Sequence, residues 1–233
     1  MTSMFGGLQE TLYLASVWVL PALIAITLHE AAHGYAALRL GDDTALRLGR
    51  VSMNPLRHVD PFGTILLPAL LLLARAPFLF GYAKPVPVNF GRLRHPRRDM
   101  VWVALAGPGM NMVLALAAAL LYHLMPLLPE WLGSWAGHNL RNAILLNVIL
   151  AVFNMLPLPP LDGGRVAVGL LPRPLAWQLS RLEPYGMFIL IGLIFLVPFL
   201  GSQLGMRVDP IAWVLRVPVD FMLDLVVRVA GLG

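Results

Sequence analysis

The chain contains no cysteine. That excludes disulfides, thiolate-held metals and a thiol nucleophile, and leaves His, Asp and Glu as the side chains able to ligate a metal. Charge is scarce as well: 12% of the 233 residues are Asp, Glu, Lys or Arg, about half the roughly 25% of a soluble domain. A solvated surface cannot be built from so few charges, so an ordinary cytosolic enzyme and a disordered chain are both excluded. Lysine is nearly missing, with Lys84 alone among 17 basic residues. The arginines cluster at the ends of apolar runs, where the positive-inside rule puts them, and the net charge of +5 therefore implies no nucleic-acid partner. The N-terminus has no basic run ahead of its first apolar segment, so that segment does not read as a cleaved signal peptide. There is no internal repeat and no polar stretch long enough to fold alone.

What is present is apolar: 58% of the residues are hydrophobic, and the mean hydropathy is +0.76. A helical span needs about 20 apolar residues. Residues 11–38, 100–124, 142–161 and 184–206 meet that need. Residues 62–80 are apolar too, but Pro68, Arg75 and Pro77 interrupt them, which fits a segment that dips into the bilayer and returns. Residues 81–89 alternate and carry two prolines, the pattern of an extended edge strand. In the tail, Arg216, Asp220, Asp224 and Arg228 recur every fourth residue and form one helical stripe. That suits an amphipathic helix on the membrane surface, or a further span with a polar seam. The expected fold is an all-α polytopic membrane protein of about five to six membrane helices, with a short re-entrant or extended segment near the functional site. It reads as one membrane-embedded domain over 1–233, with a core at about 12–170, a C-terminal span at 184–206 and a tail helix at 209–230. Loop 75–99 is rich in Arg and 125–138 has neither Lys nor Arg, so the first faces the cytoplasm and the second the exterior.

Within the first span lies His29-Glu30-Ala31-Ala32-His33. Residues four apart share a helix face, so both imidazoles can bind one zinc ion, and Glu30 is spared to act as a general base. A chain of this composition produces about 0.003 such motifs by chance. Three polar groups inside a span are costly and mark function. His29 lies ten residues before Arg39, roughly 15 Å along a helix and so near mid-membrane. Two His ligands leave a catalytic zinc short of a third protein ligand. Asp162, which follows an uncharged run and precedes Gly163-Gly164-Arg165, is the best candidate; its alternative role is to cap the helix that begins there. Pro157, Pro159 and Pro160 preclude a regular helix just before it. Irregular backbone at that depth must face protein or a wet cavity, and its free polar groups could pair with an extended substrate. Asn111 reads as an interhelical polar contact, with orientation of the site as its alternative role, Asn147 as a structural polar contact, and His58 as a loop residue whose alternative role is to polarise a substrate carbonyl.

Three runs together resemble the site-2 protease family of intramembrane zinc metalloproteases, in its compact form without an inserted peptide-binding domain. They are the H-E-x-x-H, the run Ala106-Gly107-Pro108-Gly109-Met110-Asn111, and the run from Asn154 to Arg165. The resemblance implies one zinc per chain on His29, His33 and Asp162, Glu30 as general base, and substrate contacts at Asn154, Pro157 and Pro159. It implies an enzyme that cuts membrane-spanning proteins near the cytoplasmic side, and a multi-pass location in a bacterial inner membrane. The rival readings are a membrane metal transporter and a non-cleaving relative that binds membrane segments.

Overall fold

The structure is a computed structural model that describes residues 2–66, 70 and 84–233. Among these residues it is helical, with no strand. Helix α1 runs Thr2–Arg39, α2 is the single turn Thr44–Arg47, α3 is Pro96–Tyr122 and α4 is Glu130–Asn154. Helix α5 is Asp162–Leu170 and α6 is Arg173–Ser180. Helix α7 covers Glu183–Gln203, with a π-type turn at Gly192–Leu196, and α8 is Pro210–Val229. Four of these, α1 from Gln9 onward, α3, α4 and α7, are long and apolar enough to cross a membrane. The protein is a multi-pass helical membrane protein.

Helix α3 is the hub, packed against α1, α4 and α5. Five of its buried residues are small (Ala104, Gly107, Ala115, Ala118, Ala119), which lets neighbouring backbones come close without a hydrophobic drive between helices. Apart from the buried network around His29 and His33, polar bonds between the elements lie towards the two ends of the bundle. At one end Arg94 N–H donates to Leu40 O, Arg92 pairs with Asp43, Arg97 donates to the carbonyls of Gly169 and Leu171, and Arg165 lies over the Phe90 ring. At the other, α1 and α4 are joined by Tyr13 to His138, Trp135 to Ser16 and Asn142 to the Val17 carbonyl.

Those last contacts explain a departure from the sequence reading. The run at 142–161 predicts a span starting at 142, yet α4 begins at Glu130 and stops at Asn154. Its first three turns are polar because α1 supplies partners for them, and its end is set by Pro157, which cannot continue a helix. Residues 84–89 form neither helix nor strand: Pro85 and Pro87 have no N–H to offer a ladder, and those of Lys84, Val86 and Asn89 go to His58 O, Glu30 and Asp42. Of the segment 62–80, Pro61–Leu66 forms a π-type turn; 67–69, 71–80 and the start of 81–89 lie outside the described residues.

Tail helix α8 rests its Val219, Met222, Leu223 and Val226 face on α3 and α4. The stripe Arg216, Asp220, Asp224, Arg228 points away and is exposed, closed by the i,i+4 pairs Arg216–Asp220 and Asp224–Arg228. Between α4 and α5 the chain folds tightly over two glycines. A Cβ on Gly163 would lie 2.2 Å from Met155 O, and one on Gly164 would lie 2.3 Å from Pro159 N. Helix α7 closes the turn from outside, where a Cβ on Gly186 would lie 1.7 Å from Pro159 O.

Candidate metal centre

Helix α1 carries His29 and His33 on one face, and both are buried, at 7% and 8% exposure. Helix α5 brings Asp162, 5% exposed, to the same point. The N-cap of α5 is Leu161, and no side chain caps the helix. Asp162, one residue inside, is thus not held by a capping bond and faces the histidines. His29 Nε2 and His33 Nε2 lie 3.1 Å apart, and Asp162 Oδ2 lies 3.3 Å and 3.2 Å from them.

The protons decide what this triangle is. His33 Nδ1 lies 2.7 Å from the Val103 carbonyl, which can only accept, so the proton sits on Nδ1. His29 Nδ1 lies 2.6 Å from Asn111 Oδ1, again an acceptor. Each neutral ring therefore turns a bare Nε2 lone pair inward. Asp162 Oδ2 is buried and receives no hydrogen bond. Three lone-pair acceptors face one another at van der Waals range or closer, and a cation is what makes such a cluster favourable. The spacing suits one. A tetrahedral ion with bonds of about 2.0–2.1 Å separates its ligand atoms by roughly 3.3 Å. Ring N–H groups tied to a carbonyl and an amide are the outer contacts that metal-bound histidines make.

Space is provided by α3. A Cβ on Gly107 would lie 2.3 Å from His33 Nε2 and 2.6 Å from His29 Cε1. Any residue but glycine would collide with both imidazole rings. Beside the cluster, Glu30 accepts the Val86 N–H on Oε2 at 2.7 Å. That contact comes from segment 84–89, whose position is fixed by Arg50 on the carbonyls of Lys84 and Pro85 and by Asn89 N–H on Asp42.

The expected substrate residues are arranged differently from one another. Asn154 is the last residue of α4 and spends its Nδ2 on Leu150 O at 2.9 Å. Pro157 is exposed, whereas Pro159 is buried between Gly164 and Gly186. His58 is 2% exposed and bonds Ser52 O through Nε2, so it belongs to the loop that carries segment 84–89. The sequence reading missed Gly107 as the cradle, the Val103 carbonyl, the Val86 amide and Gly186. Gly107 lay in a Gly-Pro-Gly run and Gly186 alone in an apolar span, both signs of close backbone approach. Backbone groups leave no signal at all.

Comparison with known proteins fits this geometry. The sequence profile of Peptidase family M50 matches residues 134–197. A protein of Bacillus subtilis (strain 168) named "Putative zinc metalloprotease YwhC" is 39% identical over 196 residues, 79% of this chain and 81% of its own length. Rip2 of Mycobacterium tuberculosis, which carries the same description, is 33% identical over 166 residues, 68% of this chain and 60% of its own length. No solved structure matches.

Proposed function

Because the chain belongs to Peptidase family M50, we propose that it is an intramembrane zinc metalloendopeptidase that cuts membrane-spanning proteins near the cytoplasmic face. The observation that carries this reading is the convergence of three unprotonated donor atoms, from His29, His33 and Asp162, at 3.1–3.3 Å in a buried place. One zinc ion per chain would be held by these three residues and would supply Lewis-acid chemistry, polarising a peptide carbonyl and acidifying a water.

The chain's own groups do the rest. Glu30 follows His29 directly and is not needed as a ligand. Its Oε2 is held by the Val86 amide, and its Oε1 takes the proton of the attacking water and returns it to the departing amine. The Val103 carbonyl and the Asn111 amide keep the rings oriented while this happens. An intact transmembrane helix hides its peptide bonds, so a substrate must unwind locally. The non-helical stretch from Met155 to Leu161 suits that need: its N–H groups are spent on turns within the chain or missing in its prolines, so what it offers an extended chain is carbonyl acceptors beside the exposed Pro157. Asn154 sits at the head of this stretch; Pro159, clasped by Gly186, gives it shape. The bacterial origin of the relatives and the basic end of the bundle support a location in a bacterial inner membrane with that end in the cytoplasm.

The test is cleavage of single-span membrane proteins by the purified protein in liposomes. Wild type yields cleavage products, and Glu30→Gln lowers the rate by about 10²-fold or more with zinc content unchanged. Full activity in Glu30→Gln would refute the general-base role. Zinc-loaded wild type that cleaves none of a broad substrate panel would favour the non-cleaving reading.

A further inference from the structure

We propose that Asn147, whose hydrogen bonds go to Asn111 and the Ala143 carbonyl, is a positioning residue that fixes the tautomer of His29 through the Asn111 amide. The proposal rests on the metal site put forward above and deepens it.

Asn111 and Asn147 are 0% and 2% exposed, on α3 and α4 respectively. Two buried amides in an apolar bundle are expensive unless their bonds are made. Here they are made in a chain that has only one sense. Asn147 Nδ2 donates to Ala143 O at 2.8 Å. A backbone carbonyl only accepts, so the nitrogen must be on that side. The Asn147 oxygen consequently faces Asn111, whose Nδ2 donates to it at 2.8 Å and to the Ala25 carbonyl at 3.3 Å. That leaves Asn111 Oδ1 against His29 Nδ1, at 2.6 Å. An amide oxygen accepts, so Nδ1 keeps the proton and Nε2 keeps its lone pair for the cluster with His33 and Asp162.

Turning the Asn111 amide over would reverse all of this with almost no change of shape. Its NH₂ would then face Nδ1, the proton would move to Nε2, and an N–H would point into the place a cation needs. Packing cannot separate the two orientations, because amide nitrogen and oxygen are nearly the same size. The acceptors around Asn111 can. Asn147 provides the shorter of the two bonds, and its own orientation is locked by the Ala143 carbonyl one turn earlier. His33 needs no such relay, since its partner is the Val103 carbonyl, which cannot flip.

Zinc affinity, measured by chelator competition on the purified full-length protein without substrate, tests this. Asn147→Leu keeps the branched shape and removes the acceptor; Asn147→Asp, kept protonated by its apolar burial, has an O–H for the Ala143 carbonyl and an acceptor oxygen for Asn111. Asn147→Leu should bind zinc about tenfold or more weakly, the range for outer contacts of metal ligands, with helical content unchanged. Asn147→Asp should recover most of the loss. Wild-type affinity in Asn147→Leu would overturn the proposal, and so would equal losses in both variants, which would mark a packing role. Should Asn147→Leu fail to fold, ¹⁵N-histidine spectra of metal-free wild type read the tautomer directly: a proton on His29 Nδ1 supports the relay and one on Nε2 refutes it. A wild type that binds no zinc would instead overturn the metal site itself, and the relay with it.

Discussion

Gly107 of α3 passes so close to His33 of α1 that a Cβ at position 107 would lie 2.3 Å from His33 Nε2. The helices meet at this point because one of them carries no side chain there. In Gly107→Ala, either the helices separate or the His33 ring rotates off the Val103 carbonyl. Both outcomes spoil the triangle of donor atoms. Zinc affinity should fall by at least about tenfold, as for other disturbances of ligand orientation, while circular dichroism keeps its helical signal. Unchanged affinity in a chelator competition would show that the cradle is not needed.

Gly186 makes the corresponding contact from the far side. It lies on α7, remote in sequence from the metal-facing residues, yet its Cα packs directly on the Pro159 carbonyl three residues before Asp162. Gly186→Ala must push the turn or the helix away, since a backbone oxygen cannot swing aside as a flexible side chain can. The expected result is weaker zinc binding and slower cleavage with α1 undisturbed. A variant with wild-type zinc affinity and wild-type turnover would show that α7 does not support the Asp162 turn.

How much of this could be read from the letters alone depends on which atoms are involved. The histidine pair was legible because spacing of four on a helix fixes a shared face. Asp162 was legible because a lone acid beside a long uncharged run is conspicuous. The polar first turns of α4 were not legible, because Ser16, Tyr13 and the Val17 carbonyl make them affordable only once α1 is alongside. Asn147 looked like one more structural polar contact; its link to His29 runs through Asn111 and two backbone carbonyls, and carbonyls have no letter. Segment 84–89 has the alternation of a strand, but Pro85 and Pro87 remove the donors that a ladder requires.

Asp42 ties that segment to the end of α1. It is fully buried and accepts from the Thr44 hydroxyl and N–H and from the Asn89 N–H. Burial alone pushes its carboxyl up. The Thr44 hydroxyl, the two amides and the nearby Arg92 outweigh this and hold it below its ordinary value of 3.8. A carboxyl lowered on folding adds stability above its unfolded value, and the gain is lost as pH falls through the lower folded value. Asp42→Asn turns one acceptor into a donor facing donors, and should destabilise by about 1–3 kcal/mol at pH 7. The gap between wild type and variant should shrink below pH of about 4. Thermal unfolding of both proteins in detergent at pH 7 and pH 3 checks this; a gap that stays constant would remove Asp42 ionisation from the explanation.

The central claim is that His29, His33 and Asp162 hold one metal ion, and metal analysis of the purified protein tests it without any knowledge of the substrate. The account predicts about one zinc per chain in wild type, most of it lost in His33→Ala and in Asp162→Ala, and all of it kept in Glu30→Gln. Freshly purified, folded wild type without zinc, and unable to take it up from solution, would contradict the account at its base.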